Sequence, residues 1–119
     1  MKIDTMSDDA AARKRIARNE ALFRQVNERV KEVSGAFGSV DPSPVDFVCE
    51  CGNADCTEPV SLTLAEYEQV RSVATRFFVV PDHVIAAVEA VVREGSCYVV
   101  VEKRPAEARI ARETDPRSS

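Results

Sequence analysis

Apolar positions in the first third of the chain recur at alternating spacings of three and four. Ala12, Ile16, Phe23, Val26, Val30, Val33 and Phe37 make the stripe, and Asn19 fills the one slot without an apolar side chain. That period predicts an amphipathic α-helix over residues 8–36, capped by Ser7 or Asp8 and ended near Gly35. The stripe is heptad-like, and its plainest use is packing on the protein's own small core. Self-association, or docking to another protein, is the alternative use.

The pattern then changes. Residues 37–44 hold prolines, serines and a glycine, which bar regular structure and predict a linker. "VDFVCE" from Val45 and "PVSLT" from Pro59 read as a strand and its return. Thr63 and Glu66 have capping-box spacing, so a short helix is expected over residues 64–73. "RFFVV" is β-rich and is stopped by Pro81. Residues 84–94 fit a helix or a strand. A hairpin turning at Gly95-Ser96 is preferred, because "CYVVVE" after it is strongly strand-like. Residues 1–7 are expected to be flexible and residues 104–119 to be a disordered tail, being polar or charged with few large apolar groups. The fold class predicted is α+β: a long N-terminal amphipathic helix, then a small antiparallel β module with one short helix over residues 45–103.

Composition sharpens this. Of 119 residues 45% are apolar, but there is no Trp and few aromatics, so one thin core is all the chain can build and a metal staple would help it. Net charge is −4 and uneven. Residues 11–34 carry seven basic and three acidic groups, about +4, which leaves about −8 on the rest. That asymmetry points to an internal electrostatic match or to a partner for the helix. No apolar run approaches the roughly 18 residues of a membrane span. The start lacks a secretory-signal profile, so a cytoplasmic home is the expectation. In a reducing compartment, closely spaced cysteines are better metal ligands than disulfides.

Three cysteines, Cys49, Cys51 and Cys56, form C-x-C-x4-C around the turn formers Gly52, Asn53 and Asp55. Thiolates must converge on an ion, and closely spaced ones do so only where the backbone turns sharply; Gly52 allows backbone angles that a side chain would hinder. Zn²⁺ prefers four tetrahedral ligands, so one position is open. His83, the only histidine, is preferred for it, with Cys97 as the alternative. An iron–sulfur centre, free or redox-active thiols and a disulfide are weaker readings; Glu50, Asp55 and Glu58 beside the cysteines disfavour a reactive thiolate. Glu50 raises the thought of a general base at zinc-bound water, as in zinc deaminases. The H-x-E and P-C-x-x-C elements of those enzymes are missing, and three thiolates with an imidazole fill the metal and make it a poor Lewis acid.

The run "FVCECGNADCTEPVSLTLAEYEQVR", with "RFFVVPDH" and "YVVVEK", resembles a small family of uncharacterised actinobacterial proteins that also carry an "ARNEALFR"-type helix. The resemblance spans residues 15–103. It implies that Cys49, Cys51, Cys56 and His83 are the ligand positions and that Cys97 is not, and it implies no substrate.

The expected role is therefore that of a small zinc finger-like protein: a non-enzymatic interaction or regulatory module, working through its N-terminal helix. Zn²⁺ would be structural, the partner a protein or a second copy, and no membrane would be involved. Nucleic-acid binding through Arg13, Lys14, Arg15, Arg18, Arg24, Arg29 and Lys31 is a weaker alternative. The chain is acidic overall and lacks a nucleic-acid-binding fingerprint. A redox- or zinc-responsive switch is another.

Overall fold

Nine elements follow one another in the computed structural model, which describes residues 2–35, 43–56, 58–95 and 97–117, with side chains from Ala11 onward. Helix α1 (Lys2–Gly35) leads, followed by β1 (Val45–Val48), β2 (Pro59–Leu62), α2 (Leu64–Arg71), β3 (Arg76–Val79), a 3₁₀ turn (Pro81–His83), β4 (Glu89–Glu94), β5 (Val99–Lys103) and α3 (Pro105–Glu113). The α+β class holds. Helix α1 starts at Lys2, so Ser7 and Asp8 lie inside it rather than capping it, and residues 2–7 are helical rather than a loose end. Phe37 and most of the expected linker, residues 37–42, lie outside the described residues.

β1 and β2 pair antiparallel, with Val45 opposite Leu62 and Phe47 opposite Val60. The second sheet runs β3-β5-β4, all antiparallel. β5 sits in the centre, as its unbroken Val99-Val100-Val101 run suits a strand paired on both sides. The ambiguous stretch divides: residues 84–88 are irregular and β4 begins only at Glu89. The β4–β5 turn falls later than expected, because the Gly95 N–H donates to the Tyr98 carbonyl at 2.7 Å and Glu94 pairs with Val99. Helix α2 has the predicted capping box: Thr63 Oγ1 accepts from the Glu66 N–H, and the Glu66 carboxylate accepts from the Thr63 N–H.

One core joins the pieces. Phe47 and Tyr67 stack in parallel with centroids 4.5 Å apart, and Phe78 meets both edge-on. Leu62, Val70 and Val101 close around them. The three clustered cysteines belong to this same core.

Two expectations are corrected here. Residues 105–113 of the expected tail form α3, which packs Glu107, Ala108 and Ala111 inward. Its buried face is made of small alanines, which let the helix lie close, and no large apolar residue advertises it. The apolar stripe of α1 is its core face only in part, through the half-buried Ile16, Phe23 and Val30. Val26 and Val33 are exposed, as is Leu22, whereas Ala17, Glu20, Arg24 and Asn27 are buried. Val30 only partly reaches the core.

The inward face of α1 works through hydrogen bonds instead. Arg24 lies over the Phe77 ring at 3.8 Å and donates to the carbonyls of Ala74 (2.6 Å) and Ala111 (3.2 Å). Burial lowers its pKa, to about 10, still high enough to stay charged at neutral pH. Lys103 on β5 is buried with two carboxylates, Glu20 of α1 and Glu89 of β4, and bonds to both. Further along, Glu28 accepts from Tyr67 and from Nε and Nη2 of Arg117, and forms an ion pair with Arg71 at 3.5 Å.

Candidate metal centre

The connection between β1 and β2 makes the cysteine knuckle. Its first strand is held open at the end: the Cys49 N–H donates to the Glu58 carbonyl (3.2 Å), and the Glu50 N–H to the Phe78 carbonyl of β3 (3.1 Å). The knuckle then bends back on itself. Asn53 Oδ1 accepts from the Asp55 N–H (2.9 Å) and the Asn53 carbonyl accepts from the Cys56 N–H (3.1 Å). This is the turn chemistry for which Asn is selected.

His83 arrives from the other side. Pro81 ends β3 and starts a 3₁₀ turn, closed by the His83 N–H on the Val80 carbonyl at 2.8 Å. The turn swings the imidazole onto the knuckle. Its Nδ1 lies 3.5 Å from Cys49 Sγ and 3.6 Å from Cys56 Sγ. With Cys51 Sγ, the four ligand atoms all fall within 4.8 Å of one another. A tetrahedral ion with sulfur near 2.3 Å and nitrogen near 2.05 Å places such a sulfur and nitrogen about 3.6 Å apart. The donor set therefore fits one metal ion. Cys97, the alternative fourth ligand, is exposed in the β4–β5 turn with its Sγ near the Ser61 carbonyl, and takes no part.

A pocket of about 250 Å³, lined by Cys51, Asn53, Asp82, His83, Val84 and Ile85, opens beside the cluster. Cys49, Cys51 and Cys56 are buried, and His83 is half-buried. All four cysteines are free thiols. The Val80 N–H donates to Cys49 Sγ at 3.3 Å, a contact that orients the sulfur and stabilises its thiolate. Without a cation, burial pushes the Cys49 and Cys51 thiols well up, and their mutual proximity adds to this for Cys49. Such thiols are poor nucleophiles. Glu50, between two ligands in sequence, turns away from them. Its carboxylate is fully buried, accepts from Asn27 Nδ2 (2.9 Å) and the Phe78 N–H (3.3 Å), and is pushed up to about 7 by burial.

Helix α1 reads this knuckle at two points. Asn19 Nδ2 donates to the Gly52 carbonyl at 2.8 Å. About two helical turns later, Asn27 brackets Val48, the residue just before Cys49. Ile16 lies so close to Gly52 that a Cβ there would sit 2.3 Å from its Cγ2. The need for glycine at position 52 comes from this close approach; its backbone is not in the left-handed region. Sequence reasoning named the four residues that the fold brings together here and passed over Asn27. A signal existed, because Asn disfavours helix interiors and two of them lie on one side of this helix.

No family model, curated protein or solved structure matches the chain.

Proposed function

We propose that the protein is a non-enzymatic interaction module whose fold is stapled by one Zn²⁺ held by Cys49, Cys51, Cys56 and His83, and whose helix α1 is the presented element. The observation that carries this reading is the convergence of four soft and borderline ligand atoms within 4.8 Å of one another, three of them on cysteines of the buried core. Soft thiolates with imidazole select zinc over magnesium or calcium. Four protein ligands leave no open position, which supports a structural role, and metal-binding free energy then becomes folding free energy. The hydrogen bonds from Asn19 and Asn27 support the second half: fixing the knuckle fixes where α1 lies.

The same bonds favour a zinc-responsive variant of this reading, in which losing the ion loosens α1.

Metal analysis with size-exclusion light scattering tests the proposal. One zinc per chain is expected, lost or sharply reduced in His83→Ala and absent in Cys49→Ser. Metal-free native protein, or iron–sulfur absorbance, would overturn it.

A further inference from the structure

The outer face of α1 has a composition that the fold does not use. Arg15, Arg18, Leu22, Val26, Arg29 and Val33 are all exposed and follow one another at spacings of three and four, so they share one seam of the helix. Leu22, Val26 and Val33 are three of the few large apolar residues left in water among the described residues. Val26 and Val33, with Arg29, Val30 and Ser34, line a shallow groove of about 370 Å³. Exposed positions of this helix from Ala11 on carry Lys14, Arg15, Arg18 and Arg29 against a single acid, Glu32. No ion pair among the described residues engages Lys14, Arg15 or Arg18, and Arg29 makes only an exposed 3.5 Å contact to Glu32.

We infer that this seam docks an acidic amphipathic helix of a partner protein, its aliphatic side chains seated on Leu22, Val26 and Val33 and its carboxylates on Arg15, Arg18 and Arg29. The inference rests on the interaction reading above and gives the partner its chemistry. Heptad spacing suits a helix laid along a helix, and Arg presents a planar fork that matches a carboxylate bidentately. Charge selects the sign of the partner.

A second copy fits badly. Parallel pairing in register sets each arginine against its own counterpart, and antiparallel pairing about Leu22 and Val26 sets Arg18 against Arg29. Both orientations are repulsive. Duplex nucleic acid supplies the charge but nothing to seat three aliphatic side chains, and the chain outside residues 11–34 is about −8. A bilayer surface would favour an aromatic anchor on the exposed side, and the one aromatic of the helix's described side chains, Phe23, is half-buried.

The test uses the full-length zinc-loaded protein and fluorescence anisotropy with labelled designed peptides. One is an amphipathic helix with Leu in the seam and Glu on its flanks. The others are its scrambled isomer and a version with every Glu replaced by Lys. Duplex DNA and phosphatidylserine vesicles are the remaining probes. Saturable binding of the acidic helix is expected, about tenfold or more tighter than the scramble. It should weaken by a similar factor in Arg18→Glu/Arg29→Glu, which should in turn acquire binding to the Lys peptide. Leu22→Ser/Val26→Ser/Val33→Ser should also lose it, with zinc content and helicity kept in both variants. Equal binding of the scramble, failure of the charge swap, preference for DNA or vesicles, or a dimer that the serine variant abolishes would overturn the inference. If the Lys peptide alone binds wild type at this seam, the acidic partner falls and the interaction surface stands. If no helical peptide binds and DNA does, both fall.

Discussion

Asn27 and Val48 hydrogen-bond to each other twice: Asn27 Nδ2 donates to the Val48 carbonyl, and the Val48 N–H donates to Asn27 Oδ1, each at 2.8 Å. The side-chain amide thus copies a neighbouring strand and completes the end of β1. The same Nδ2 also donates to Glu50 at 2.9 Å. One amide on the long helix therefore satisfies the backbone immediately before the first metal ligand and the buried carboxylate immediately after it.

Replacing Asn27 by Ala should leave two backbone groups and one oxygen of a fully buried carboxylate without their partner. Each unsatisfied group costs about 1–3 kcal/mol, so the loss is expected to be at least about 2 kcal/mol in urea unfolding of the zinc form. Zinc affinity, read by competition with a chromogenic chelator, should fall with it. A change under about 0.5 kcal/mol would mean that water replaces the amide and that α1 does not brace the knuckle.

Gly52 and Ile16 give a cleaner test, because the clash is specific. A methyl at position 52 would meet Ile16 Cγ2 at 2.3 Å, and the β-branched side chain has little room to rotate within a helix. Gly52→Ala is expected to cost about 1–3 kcal/mol. Adding Ile16→Ala should recover most of that, so the double-mutant cycle should show a coupling of about 1 kcal/mol or more. Additive effects would say that the knuckle and the helix move independently.

How far the sequence carried the reading can be traced through particular residues. The ligands were legible, because thiol chemistry and turn formers at 49–56 and the lone His83 narrow the choices to a few. The β1–β2 hairpin and the Thr63–Glu66 cap were legible for the same local reasons. The seating of α1 was not. Periodicity weighs apolar residues, and it chose Val26 and Val33, which face water, over Arg24 and Asn27, which are buried. Those two bond to carbonyls far along the chain, at Ala74, Ala111 and Val48, partners that exist only after folding. Helix α3 was missed because alanines serve as its contact surface.

Lys103, Glu20 and Glu89 form a buried triad with one cation for two acids. Burial raises Glu20, to about 8, and Glu89 pushes the same way while Lys103 opposes them. Burial thus favours the protonated form of Glu20 at neutral pH. Glu20→Gln, which mimics the protonated acid, should therefore change stability by less than about 1 kcal/mol. Lys103→Met strands the acids and should cost about 3–5 kcal/mol. Equal losses from the two substitutions in thermal or urea unfolding would contradict this assignment.

Glu28 predicts an acid transition of its own. Burial alone would raise its pKa, but hydrogen bonds from Arg117 and Tyr67 and the charges of Arg117 and Arg71 outweigh that and hold it at about 2. A carboxylate depressed on folding stabilises the native state above its ordinary pKa near 4.5, and that stabilisation is lost as pH falls from there towards 2. In Glu28→Gln the fall in stability over this window should be shallower than in wild type. Arg117→Ala should move it the same way, because Arg117 also grips Glu68 and holds that carboxyl below its usual range. An ion held by the cysteines would also be released in acid, so the comparison is made between variants at matched metal content. Parallel curves for wild type and Glu28→Gln would remove Glu28 as a contributor.

Zinc binding should itself be a proton-release reaction. In the metal-free protein, burial holds the Cys49 and Cys51 thiols above their ordinary range, so both carry protons at neutral pH. Thiolate, not thiol, is the ligand, and each of these protons must leave when the ion enters. Titration calorimetry in buffers of different ionisation enthalpy should therefore report about two or more protons released per zinc near pH 7. Apparent affinity should fall by about a hundredfold or more for each unit of pH lost below neutrality, as mass action on two protons requires. The Cys51→Ser variant should release about one proton fewer. A proton count near zero would mean that the thiolates exist before the metal arrives, and that the low-dielectric core around the knuckle is not what sets their chemistry.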